Sequence, residues 1–149
     1  MKRKVFGIAL GGCVIAIAAV ATAFAQMPGE PIRATIPFDF TVQGRTLPAG
    51  KYEIRRIGEQ AGGLEIANLT DHHDHVFFET ASKQTLRVPK RGELVFHRYG
   101  DTYFLSQVWG PGLETGRELA TSRQERTLKR EMASDGVKSE PETVAIALN

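Results

Sequence analysis

Cysteine is almost missing from this chain. Its 149 residues contain one, Cys13, and that one falls in an N-terminal stretch that reads as a leader. The remainder has no thiol, which excludes disulfides, thiol nucleophiles and cysteine-ligated zinc. Also missing are a glycine-rich phosphate loop, a G-x-S-x-G elbow and a His-Glu-x-x-His helix. There is no internal repeat and no low-complexity tract. An excess of one charge is missing too, despite a formal +2. Three of the 19 basic residues, Lys2, Arg3 and Lys4, belong to the leader, and none of the 17 acidic ones does. Without the leader, 16 basic groups face 17 acidic ones, so net charge gives no overall bias toward nucleic acid or anionic membrane.

The leader itself has three parts. Met1-Lys2-Arg3-Lys4 is basic, Val5 to Ala23 is uncharged and apolar or small, and Ala23-Phe24-Ala25 places small residues at the −3 and −1 positions before Gln26. Residues 1–25 are therefore expected to be a Sec-type signal peptide cleaved after Ala25, giving a secreted or periplasmic protein with no membrane span after cleavage. A retained membrane helix and a lipoprotein modified at Cys13, in Leu10-Gly11-Gly12-Cys13, are the alternatives. Residues 26–149 are long enough for one domain with its own core, with 26–31 as a linker.

After the linker the apolar period is two. Ile36, Phe38, Phe40 and Val42 alternate with polar residues and Pro37, predicting a strand with one buried face and the proline at an edge or bulge. Further strands are expected over 51–57, 64–69 and 75–80, with a weaker one near Thr85 to Val88. The clearest hairpin runs from Glu93 to Trp109 about Gly100-Asp101. That turn sets Arg98 opposite Tyr103 and Phe96 opposite Leu105. Leu94, Phe96, Tyr103, Leu105 and Trp109 then share the core face, and Val95, His97, Tyr99, Phe104 and Val108 the other. The second face is apolar enough to need cover. Ser122 and Glu125 form a capping box before a helix over 122–134, with Leu128 and Met132 as its apolar stripe and Glu125–Lys129 as a surface pair. Thr143 to Leu148 is a last strand. The expected fold is mainly β: an antiparallel β-sandwich or small barrel with a short C-terminal helix.

Ile36-Pro37-Phe38-Asp39-Phe40, Leu47-Pro48-Ala49-Gly50-x-Tyr52, Phe96 to Asp101, Tyr103 to Trp109 and Gly116-Arg117-Glu118-Leu119 together resemble a set of small secreted proteins abundant in acidobacteria. The resemblance implies an exported bacterial protein and brings no catalytic residue with it. The Pro-Ala-Gly-x-Tyr turn is also similar to turns that lead into strands in immunoglobulin-like and transthyretin-like modules.

Five groups of residues are candidates for function. His72, His73 and His75, with Asp71 and Asp74, have the side chains of a metal site, although a polar, solvated loop with nothing to orient the rings explains them better. Phe96, Arg98 and Tyr103 would line a ligand pocket if the hairpin walls a cavity, and Gln107 joins them on that face. His97 beside Asp101 would act as a general base if a third polar group converges on them. Trp109 is either core or an exposed anchor. Arg117, Arg123, Arg126, Lys129 and Arg130 make a basic stretch, interleaved with glutamates, that suits a solvated face or an anionic envelope polymer. Asn68-Leu69-Thr70 matches a glycosylation sequon and carries no weight in a bacterial chain. No cofactor is implied. The reading that follows is a non-enzymatic binding or structural module of the cell envelope, acting on an envelope component or protein partner. A small-ligand-binding β domain is the alternative, with metal binding through the histidine loop behind it.

Overall fold

The computed structural model describes residues 31–58, 62–71, 73–137 and 139–149. The expected leader, the linker up to residue 30, and His72 lie outside them.

Pro37 divides the first predicted strand. Without an N–H it cannot continue a ladder, so β1 (Ile32–Ile36) stops before it and β2 (Phe40–Val42) starts three residues beyond. Gln43 and Gly44 both take positive φ, 49° and 84°. They form the tight turn that folds β3 (Arg45–Leu47) back on β2. β3 is too short, and too exposed at two of its three positions, to show a period in sequence. Pro48-Ala49-Gly50 then feeds β4 (Gly50–Arg56). Tyr52 is fully buried there, and its hydroxyl donates to Pro48 O at 2.6 Å and accepts from Asn68 Nδ2 at 3.3 Å.

β5 (Gly63–Asn68) follows, and Asn68 ends it. The Asn68 Oδ1 accepts the N–H groups of Thr70 and Asp71 and so shapes the next turn. β6 (His75–Gln84) is one ten-residue strand, longer than expected. Its first half pairs with β5 and its second half with β9 (Thr115–Leu119), a strand the sequence did not reveal. Thr85 to Val88, expected as a weak strand, is irregular, and Leu86 is fully exposed.

β7 (Glu93–Tyr99) and β8 (Thr102–Trp109) form the predicted hairpin. β10 (Glu142–Ala147) flanks β7. The sheet runs β1-β4-β5-β6-β9-β8, then continues to β7 and β10 along one edge of β8 and to β2 and β3 along the other. Every pairing is antiparallel except Thr41 with Phe104, where β2 meets β8 in parallel. The curl brings its ends together: Asn149 N donates to Arg33 O at 2.9 Å.

The inside of the curl is filled. Phe40 meets Tyr52 and Phe96 edge-on at 5.1 and 5.5 Å, and Ile36, Leu47, Ile54, Ile66 and Leu94 pack around them. Each fully buried side chain contributes about 1.5–3 kcal/mol, which is how a chain without disulfides holds together. Directly opposed charges, Arg33–Glu53 and Arg55–Glu65 at 3.1 and 2.5 Å, line the outside. Among the described residues, no buried side-chain nitrogen or oxygen lacks a partner. No helix among them is long and apolar enough to cross a membrane.

The helix α1 (Arg123–Ser134) is capped at both ends. Ser122 Oγ accepts from Glu125 N at 3.1 Å. At the other end Gly136 takes φ 70°, and the N–H groups of Gly136 and Val137 bond to Ala133 O and Met132 O.

Candidate functional site

The hairpin register holds as predicted from the turn to Phe96–Leu105, and then a bulge intervenes. Val95 lies opposite Gln107, so Ser106 is an extra residue on β8. Beyond the bulge the side chains of β8 change face, while Leu94 and Val95 of β7 keep theirs. Val108 enters the core cluster, while Trp109 leaves it for the outer face, the reverse of the sequence expectation. Ser106 and Gln107 both project outward. Trp109 is nonetheless only 5% exposed. Its indole lies flat over Gly116 of β9, where a side chain would collide with the ring, and its Nε1 donates to Gln107 Oε1 at 2.9 Å.

α1 covers part of this outer face, the cover the apolar second face called for. It is held there by a carboxylate more than by apolar packing. Glu125 is the buried residue of the helix, while Leu128 and Met132 are half-buried. Glu125 neither pairs with Lys129, which reaches Glu140 at 3.5 Å, nor folds back to complete a capping box. It points into the sheet instead. Its Oε1 accepts from Tyr99 OH at 3.2 Å and lies 2.8 Å from His97 Nδ1. On the far side of the ring, His97 Nε2 is 3.1 Å from Ser106 Oγ.

A buried carboxylate persists only when its charge is compensated. Here it accepts from a phenol and an imidazole. An ionised carboxylate cannot donate, so it fixes the proton on Nδ1, and in the neutral ring Nε2 accepts the Ser106 hydroxyl. Burial, and then the charge of Glu125, push the Tyr99 hydroxyl up to about 12. The order Ser106–His97–Glu125 is that of a nucleophile, its base and the group that orients the base.

Beside this line lies a cleft of about 280 Å³ that includes Arg87, Glu93, His97, Gln107 and Trp109 in its walls. His97 is its link to the buried cluster, with a side chain 29% exposed.

The other candidates are placed as follows. Phe96, Arg98 and Tyr103 do come together, but around Phe38. That ring stacks on Tyr103 at 3.9 Å and meets Phe96 edge-on at 5.2 Å. Arg98 lies over the other ring of the stack, 5.5 Å from the Tyr103 centroid, and donates to Gly100 O. Asp101 is fully exposed and faces Arg98 at 3.9 Å; the groups that converge on His97 are Ser106 and Glu125. His73 is exposed and its carbonyl is taken by Arg45, while the His75 ring meets Phe77 edge-on at 5.4 Å. Among the described residues, no three His, Asp or Glu side chains converge as metal ligands. In the basic stretch, Arg117 bonds Ser82 and Arg126 caps Thr121 O. Burial, then the charge of Arg56, lowers the Arg117 guanidinium below its usual value.

Ser106 and Glu125 escaped the sequence reading. A bulge leaves no local signal, and Glu125 satisfies every rule for an exposed cap residue. The one available hint was that the outer face of the hairpin needed cover and the helix was the only element left to supply it. The chain matches no protein-family model, no curated protein and no solved structure.

Proposed function

We propose that the mature chain is an exported module of the bacterial cell envelope that works by contact, binding an envelope component or a protein partner through its outer surface. One observation carries this reading. The inside of the sheet is filled with packed side chains, whereas two large apolar side chains stand together outside it. Phe77 on β6 is 59% exposed and Ile57, just beyond β4, 38%, and both line one surface groove with Gly58, Gly63 and Ala120. Exposed apolar side chains grouped in a groove mark contact surfaces more often than isolated ones do. The leader pattern supports the location.

The test is co-sedimentation with isolated envelopes of the producing bacterium. Wild-type protein should pellet with them, and Phe77→Asp should lower the affinity at least about tenfold, the equivalent of about 1.4 kcal/mol. Equal binding by both, or none by either, refutes the reading. The cleft at His97 and Trp109 favours a second reading, small-ligand binding. It predicts a melting temperature that rises with ligand concentration, and that rise should survive Phe77→Asp.

A further inference from the structure

We propose that Ser106 is an activated serine that accepts an acyl or phosphonyl group from a small electrophilic ester entering the cleft beside His97. This goes beyond the contact reading, makes no use of Phe77, and runs against the expectation of a non-enzymatic module.

A serine hydroxyl is a poor nucleophile because its proton has nowhere to go. It becomes reactive when a base sits within hydrogen-bond reach and a third group orients that base. Both conditions are met, at 3.1 Å and 2.8 Å. The orienting carboxylate is itself fixed, since Glu125 is 5% exposed and Tyr99 OH donates to the same oxygen.

A latch between helix and sheet would explain only half of this arrangement. Glu125 on His97 and Tyr99 already ties α1 to β7. The hydroxyl on the far nitrogen adds nothing to that tie. Ser106 is nevertheless aimed at Nε2 by a bulge, which places it beside Gln107 on the same face. Bulges are over-represented next to reactive sites because they re-aim one side chain without disturbing the rest of a strand.

Ser106 is 6% exposed and does not itself line the cleft, so the ester reaches its hydroxyl past His97, and the cleft walls supply the remaining parts. Gln107 spends its carbonyl oxygen on the Trp109 indole, which leaves its N–H donors for a ligand. Arg87 brings a positive charge to the same walls, where Glu93 brings a negative one. These are the donors available to a developing oxyanion. The small volume and the mixed apolar and polar walls suit a short-chain ester.

In the step itself, Ser106 Oγ bonds to the acyl carbon or the phosphorus while His97 Nε2 takes the hydroxyl proton. The imidazolium is balanced by the Glu125 carboxylate. The bond to the leaving group then breaks, and Nε2 returns the proton to the departing group. His97 ends neutral, and Ser106 carries the acyl or phosphonyl group. Ser106 and His97 are the reacting pair, and Glu125 is a positioning residue.

The experiment treats the folded protein, as its host releases it, with an alkyl fluorophosphonate and reads intact mass and mapped peptides. One phosphonyl group per chain, on Ser106, is expected, and it should be absent from chains unfolded in urea. Ser106→Ala should take none. Glu125→Gln should lower the labelling rate at saturating reagent by about 100-fold, the scale of a mispositioned general base, with half-saturation unchanged. Phe77→Asp should label like wild type, which separates this test from that of the contact surface. No adduct on folded wild type, an adduct on another residue, or equal labelling of Ser106→Ala overturns the proposal. Should Glu125→Gln fail to fold, the mapped wild-type adduct and the single-atom deletion in Ser106→Ala still decide it.

Discussion

One methyl group added at Gly116 probes how tightly the outer face of the hairpin is built. A Cβ there would stand 2.3, 2.5 and 2.7 Å from three ring atoms of Trp109. Carbon atoms in contact rest at about 3.5–4.0 Å, so the indole must retreat by roughly 1 Å or more. It has little freedom to do so, being 5% exposed and bonded through Nε1 to Gln107. Overpacking of this kind costs about 1–3 kcal/mol, and loss of the indole hydrogen bond about 1 more. Alanine offsets roughly 0.5–1 kcal/mol of this, because glycine is unfavourable in a strand interior. The net loss from Gly116→Ala should be about 1–3.5 kcal/mol. At roughly 3–5 °C per kcal/mol for a domain of this size, the melting temperature should fall by about 3–18 °C. Urea denaturation and calorimetry measure both quantities. The control is the same change in a Trp109→Leu background, where the collision is gone and the loss should largely vanish. An unchanged melting temperature, or an equal loss in both backgrounds, would refute the packing argument.

Two other outcomes follow from local geometry. Tyr99 should ionise late, near 12, and its phenolate absorbance should appear well after that of an ordinary tyrosine. A raised folded-state pKa keeps the proton on the native protein, so its contribution to stability is complete below about pH 10 and is lost as pH rises toward 12. Tyr99→Phe should flatten that part of the alkaline stability profile. Gln43 sits at φ 49° before Gly44 at 84°, a pair of positions that prefers Asn-Gly. Gln43→Asn should raise stability by about 0.5–1 kcal/mol, read as a shifted urea midpoint with an unchanged slope.

Much of the fold was legible because alternation and turn chemistry are local. The Gly100-Asp101 turn fixed the partners of Arg98, His97 and Phe96, and Ser122 with Gly136 bracketed the helix. What escaped was decided by tertiary contacts. β9 has few apolar residues of its own and exists because β6 runs long enough to pair with it. β3 is a three-residue return from a turn. The bulge at Ser106 is invisible in a pattern of alternation, yet it exchanged the faces of Val108 and Trp109 and assembled the polar line to Glu125. The predicted pocket residues did meet, and Phe38, counted only as a strand residue, occupies the place between Phe96 and Tyr103. The candidate site was thus half visible: His97 stood out by its chemistry, and its partners did not.

The bond from Asn149 to Arg33 also sets a schedule. Asn149 Nδ2 reaches Thr35 Oγ1 as well, a contact between residues 114 apart in the chain. β1 is therefore made long before the residue that bonds its open side. Until Asn149 docks, β1 has a bare edge able to pair with any passing strand, and the contact that first covers part of that edge is among the most distant in sequence, hence slow to form. The interval before that docking is when this domain is most exposed to mispairing, and when a holding chaperone would matter most to it.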